Sequence, residues 1–155
     1  MRTIPLTQGK FALVDDKDYD WLMQWRWYAD KRNKAYYVAR TCTESRKNVY
    51  MHRQILGATK GQIIDHIDRN GLNCQRKNMR FCTSSDNSCN KIDGKGNAKY
   101  KGVSKCSHTN SFCVRINKNR KPIYIGRFRD EIEAAKAYNK AAKIYHGEFA
   151  KLNDV

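Results

Sequence analysis

A chain of 155 residues has room for one ordinary domain or two small ones with thin cores. With 40% apolar and 30% charged residues it is too hydrophobic to stay unfolded. It has no apolar run of membrane-spanning length, and Met1-Arg2-Thr3-Ile4-Pro5 lacks the apolar stretch of a secretory signal, so a folded intracellular, cytoplasmic protein is expected rather than a secreted one. The formal charge is +16, from 31 Lys and Arg against 15 Asp and Glu, which favours a polyanionic partner. Residues 99–155 alone carry 13 basic and 5 acidic side chains, and no segment shows the broad apolar face of a membrane-surface helix. Nucleic acid, not membrane, is the expected partner.

The opening residues Ile4-Pro5-Leu6-Thr7-Gln8-Gly9-Lys10-Phe11-Ala12-Leu13-Val14 read as two short strands around a Gln-Gly turn. Asp15-Asp16 then precedes Tyr19, Trp21, Leu22, Trp25 and Trp27, an apolar series that a short helix followed by a strand would bury as a local core. Further strands are expected at Tyr36 to Arg40 and Val49 to Met51. His52 is open to two readings: it could approach the site formed by the residues that follow, or, beside Met51, Ile55 and Leu56 on a short helix, it is a packed or capping residue, which is the commoner case.

Residues 63–91 outline a strand, a loop, a returning strand and a helix. Ile63-Ile64 runs into Asp65-His66, a polar loop follows through Asn70-Gly71, and Asn78 precedes Met79 to Cys82. Thr83 suits a helix N-cap with Asp86 three residues on, which places Asn87 in the first turn. Arg80 is open to two readings, a phosphate contact or the solvated face of a strand, and neither it nor His52 is counted among the catalytic residues. Asp65-His66 alone means little, but Asn78 stands twelve residues beyond His66 and Asn87 nine beyond Asn78.

That spacing resembles the ββα-metal motif of phage-type HNH homing endonucleases, in the variant whose last position is Asn. Met51-His52-Arg53-Gln54-Ile55-Leu56-Gly57 and Asn78-Met79-Arg80-Phe81-Cys82-Thr83 are similar to the same family. The resemblance implies hydrolysis of DNA phosphodiester bonds. His66 would be the general base, since an imidazole can take a proton from water near neutral pH. Asp65 and Asn87 would be oxygen ligands to one hard divalent cation per site, Mg²⁺ or Mn²⁺, and Asn78 would brace the catalytic loop. Six cysteines, none closer than seven residues to the next, lack the paired spacing of a zinc site and the export context of a disulfide scaffold. No structural zinc is expected.

Gly94-Lys95-Gly96-Asn97 is the candidate linker. Beyond it the pattern changes to three short strands and a helix. Phe112, Val114 and Ile116 alternate with Cys113, Arg115 and Asn117, and Ile123 and Ile125 flank Tyr124, so Arg115, Asn117 and Tyr124 share the face opposite the apolar one. Lys118, Arg120 and Lys121 belong to a basic hairpin loop. Asp130 and Glu133 form a capping box, Gly147 a C-terminal stop, and Ile132, Ala135, Tyr138, Ala142 and Tyr145 one apolar stripe.

Tyr100-Lys101-Gly102-Val103, Tyr124-Ile125-Gly126-Arg127-Phe128, Glu133 to Tyr138 and Gly147 to Asn153 resemble the plant APETALA-two or ethylene-response-factor DNA-binding domain over residues 99–153. The resemblance implies a sheet laid in the major groove, with Lys101, Ser104, Arg115, Asn117 and Tyr124 facing the DNA. Several of these positions hold Arg or Trp in the plant proteins, so their target sequence does not carry over. Strict alternation also does not place Lys101 and Ser104 on one face.

The expected fold is thus α+β. Residues 1–93 form an HNH nuclease domain with its ββα-metal core at about 61–91, residues 94–98 a linker, and residues 99–155 a three-stranded antiparallel sheet packed on one helix. The expected activity is site-specific cleavage of double-stranded DNA by a monomer of phage or bacterial-host type. The alternatives are a non-catalytic DNA-binding protein with a relic HNH fold, and a zinc-stabilised module that the cysteine spacing disfavours.

Overall fold

The computed structural model describes residues 1–33, 35–90, 98–107 and 109–155, which divide into two compact units, Met1–Thr83 and Ser84–Val155. The expected linker at Gly94-Lys95-Gly96-Asn97 lies outside the described residues, as does Lys91 at the end of the expected nuclease core. The described secondary structure mixes helices with several small antiparallel sheets, in keeping with an α+β class. No helix among the described residues is long and apolar enough to cross a membrane.

In the first unit β1 (Arg2–Pro5) pairs with β2 (Phe11–Val14) across a turn in which Gln8 and Gly9 both adopt positive φ. The helix α1 (Asp16–Leu22) follows, then a sheet of β3 (Tyr28–Arg32), β4 (Ala35–Thr41) and β5 (Asn48–Tyr50). Met51, expected within that last strand, instead opens α2 (Met51–Leu56), because Met51 and Ile55 stand one helical turn apart and both are buried. The ribbon of β6 (Ile63–His66) and β7 (Met79–Cys82) completes the unit. One core joins these pieces: Ile4, Val14, Leu22, Val38, Met51 and Met79 are all buried in it. Trp27 is buried, with Trp25 at 6.1 Å edge-to-face and Trp21 beyond it, so the tryptophans are core residues.

The first helix carries an unusual cargo. Asp18 is buried, and both of its oxygens accept from Arg76 at 2.8 Å, while the Trp21 indole donates at 3.1 Å. The Arg76 guanidinium, more than burial, holds the Asp18 carboxyl below its usual range. Asp15 accepts from the Arg76 backbone N–H at 2.8 Å. Two acidic residues of the N-terminal segment thereby anchor the chain just before β7.

The second unit opens with α3 (Ser84–Asn90) and continues into a sheet in the order β10 (Lys121–Phe128), β9 (Phe112–Lys118), β8 (Val103–Lys105). The long helix α4 (Glu131–His146) covers one side, capped where Asp130 accepts from the Glu133 N–H at 2.8 Å and stopped at Gly147, whose φ is 53°. Ala134, Ala135, Tyr138, Ala141 and Ala142 are the buried stripe, packed on Val103, Val114 and Ile116. Ile132, expected in that stripe, is 47% exposed, since the small alanines at 134 and 141 turn the contact face away from it. Gly102, at φ +73°, precedes β8 in close contact with α4: a Cβ there would stand 2.1 Å from the Tyr138 ring.

These contacts give two expectations. A depressed carboxyl stabilises the fold at pH values above its unfolded pKa, and that stability is lost as pH falls through the folded value. Thermal melts of the first unit should therefore weaken as pH drops below 3.8, and Asp18→Asn should flatten that acid limb while lowering stability at neutral pH. Gly102→Ala should cost at least about 1 kcal/mol in urea denaturation, because a side chain there meets both a positive φ and an occupied volume.

Candidate active site and nucleic-acid interface

Asp65 and His66 end β6, and as neighbours on a strand they leave the ribbon on opposite faces. Asp65 is 5% exposed and lies opposite Arg80 in the ladder, whose Nε and Nη2 donate to the same oxygen, Oδ2, at 3.1 and 2.9 Å. The structure thus gives Arg80 a definite place, as the cationic partner of a buried carboxylate. His66, 6% exposed, faces Tyr37 at 6.1 Å and His52 at 5.1 Å between ring centroids. Burial lowers the His66 pKa against the opposing pull of the Asp68 and Asp65 carboxylates, which keeps its imidazole neutral near pH 7. Burial, with His66 and Arg53 adding to it, pushes His52 down to about 3.

Asn78 closes the loop between the two strands. Its Oδ1 accepts from the Asp68 N–H at 3.0 Å, and its Nδ2 donates to Asp68 Oδ1 and to the Asn73 carbonyl, each at 2.9 Å. Its backbone carbonyl accepts from the Ile67 N–H at 2.8 Å, next to His66. Asp68 also accepts from the Asn70 N–H and the Asn73 amide at 2.8 and 2.7 Å. Burial acts against the Asp68 carboxylate, but these hydrogen bonds outweigh it and hold its pKa below the usual value. The loop is also tied to β2, with Leu13 donating to Leu72 O and accepting from Cys74 N. Asp68, Asp15, Asp18 and Arg76 were not singled out in the sequence. Asp68 could have been, as the second acid of Asp65-His66-Ile67-Asp68; the others join only through the fold.

Asn87 lies in α3, within the second unit. Among the described residues no group of three or more His, Cys, Asp or Glu side chains is placed to hold a metal, and all six cysteines are free thiols. The donor set named in the sequence is one carboxylate and one amide, hard oxygen ligands, and Asp65 already holds a cationic group against Oδ2. Oxygen donors of this kind suit a small divalent cation, while the guanidinium already offsets the Asp65 charge.

In the second unit Arg115 and Asn117 are exposed on β9, and Tyr124, 56% exposed, pairs directly with Arg115. Gly102 resets the alternation ahead of β8, so Lys101 and Ser104 need not follow strand periodicity with respect to each other. A groove of about 790 Å³ is lined by Lys101, Ser104, Arg115, Asn117 and Arg120 on the sheet side and by Ser84, Ser85 and Ser88 of α3. Lys101 Nζ donates to the Cys89 carbonyl at 2.7 Å, at the C-terminal end of α3 where a cation suits the helix dipole. Lys121 is exposed beside this groove at the start of β10, whereas Lys118 stands apart, its Nζ donating to the Tyr145 carbonyl of α4 at 2.5 Å. Arg127 was missed. A bulge between Tyr124 and Gly126 places it opposite Cys113, on the face of Arg115, where unbroken alternation would have sent it to the other side. The glycine within a strand was the available signal.

No family model matches the chain. Over 150 residues it is 31% identical to an uncharacterized HNH endonuclease of Acanthamoeba polyphaga mimivirus, in an alignment covering 96% of this chain and 77% of that relative. At that identity and coverage, the chain belongs to the HNH endonuclease family.

Proposed function

We propose that the protein is a site-specific endonuclease of the homing type that hydrolyses phosphodiester bonds in double-stranded DNA. The observation that carries this reading is the buried pair Asp65 and His66 at the end of a ribbon whose loop is latched by Asn78. In this reading residues 1–93 are the nuclease domain with a ββα-metal core at about 61–91, residues 94–98 the linker and residues 99–155 the DNA-reading domain, acting as a monomer in the cytoplasm.

His66 takes the proton from the attacking water. A buried imidazole that is neutral near pH 7 is available for that step without first losing a proton of its own. Asn78 does not touch the reacting atoms; it fixes the loop that follows His66. Asp65 and, by its sequence spacing, Asn87 hold one divalent cation, Mg²⁺ or Mn²⁺. That ion, when bound, supplies electrostatic stabilisation of the scissile phosphate and the leaving 3′ oxygen. Lys101, Ser104, Arg115, Asn117, Arg120, Lys121 and Tyr124 engage the duplex from the open sheet face, while Lys118 supports the hairpin through α4. A single centre per monomer gives a nick.

Incubation with supercoiled plasmid and Mg²⁺ or Mn²⁺ should produce the nicked form, and excess EDTA should stop it. His66→Ala should lower the rate by about 10²- to 10⁴-fold. Undiminished cleavage in either condition rules the mechanism out, and DNA binding without any cleavage leaves a non-catalytic DNA-binding protein. If the basic face neutralises about six phosphates, log affinity for duplex should fall against log salt with a slope of about −5, and Arg120→Ala should make it shallower by about 1. Anisotropy titrations of a labelled duplex over a salt series measure both.

A further inference from the structure

The proposed base sits in a box of rings that its own role does not explain. His52, on α2, meets His66 edge-to-face, with centroids 5.1 Å apart and planes at 82°. Tyr37, on β4, lies against both imidazoles, 6.0 Å from His52 and 6.1 Å from His66. Tyr50 stacks on the far side of His52 at 5.6 Å and 27°, and its hydroxyl is held between Asp30 and Arg32, at 2.8 Å from each. Behind Tyr37 the loop comes in so closely at Gly71 that a Cβ there would stand 2.6 Å from the Tyr37 ring and 2.4 Å from the Tyr36 carbonyl oxygen. Among the described residues the Nδ1 atom of His52 is buried without a hydrogen-bond partner, so the ring packs there for its shape and edge.

An imidazole turns about χ2 in a broad, roughly two-fold well, and half a turn exchanges Nδ1 with Cδ2 and Nε2 with Cε1, putting carbon where nitrogen was. A general base must present one nitrogen to water at hydrogen-bonding distance, so freedom about χ2 would spend part of the time with the wrong atom forward. We propose that His52 and Tyr37 are positioning residues of the nuclease, a ring clamp supplied by α2 and β4 that fixes the plane of the His66 imidazole and hinders its rotation about χ2. This rests on the reading of His66 as the base. Gly71 belongs to the device, because any side chain there would collide with the Tyr37 ring and displace it.

The test uses the full chain with supercoiled plasmid and Mg²⁺ under single-turnover conditions, alongside duplex affinity and long-range ¹H–¹⁵N spectra of the histidine rings. His52→Ala should slow the cleavage step by on the order of 10- to 100-fold while duplex affinity stays within about two-fold. The His66 ring signals should shift or broaden in that variant. His52→Phe, which restores a ring edge without nitrogens, should bring the rate back to within about three-fold of the natural protein. Tyr37→Leu keeps apolar volume and should reproduce the slow cleavage, which provides a second lesion should His52→Ala fail to fold. A folded His52→Ala with an unchanged rate and unchanged His66 signals overturns the clamp, and so does a folded His52→Phe as slow as His52→Ala. His66→Ala separates the two ideas: full cleavage by that variant removes the base assignment, and the His66 ring signals in His52→Ala then decide the clamp alone.

Discussion

A two-stranded antiparallel ribbon cannot hold its own shape in water, and Asp65 and His66 stand at the end of one. The first unit is best understood as the answer to that weakness. Met79 of the ribbon enters the core formed by Val14, Leu22, Val38 and Met51, and Ile64 packs against it. The connecting loop gives Cys74 and Leu72 to that core, and polar contacts hold the rest: Asn78 and Asp68 from within, Leu13 through backbone bonds, and Asp15 and Asp18 through Arg76. The N-terminal strands and helix, silent about chemistry in the sequence, are the mould in which the loop is cast.

Strand alternation then separates two neighbours that need different surroundings. Asp65 leaves the ribbon toward Arg80, where a guanidinium offsets the cost of burying a carboxylate. His66 leaves on the other face, among Tyr37 and His52, where burial favours the uncharged imidazole. One peptide bond thus joins an ion-paired carboxylate to a buried neutral imidazole, and it is the pleat that keeps their environments apart.

Much of this was legible, because the signals were local. The turn at Gln8-Gly9, the helix N-cap at Asp130, the stop at Gly147 and the alternation in β9 each depend on residues within a few positions of one another. What was not legible came from distance or from a break in period. Asp18 and Arg76 are 58 residues apart, and nothing in either neighbourhood announces the other. The rings of Tyr37, His52 and His66 come from β4, α2 and β6, so the sequence alone left His52 between a packed residue and one near the site. Met51 shifted from strand to helix because burial at a spacing of four outweighed its aromatic and β-branched neighbours. Ile132 dropped from the α4 stripe because alanines allow closer approach than a bulky residue does.

In the second unit the same contrast has a consequence for the exposed basic surface. A three-stranded sheet with one covering helix buries one face and leaves the other for polar side chains, so Arg115, Asn117 and Tyr124 follow from period two alone. Period two fails at the two glycines. At Gly102 the chain takes a positive φ against Tyr138, which frees Lys101 from the register of β8, and near Gly126 a bulge turns Arg127 onto the basic face. Lys118 moves the other way: it keeps strict alternation from Ile116, and is thereby committed to the Tyr145 carbonyl on the helix side. Charge alone made all of these cations equivalent. Backbone geometry divides them, into Arg115, Arg120, Lys121 and Arg127, which are exposed, and Lys101 and Lys118, which are tied to the carbonyls of Cys89 and Tyr145.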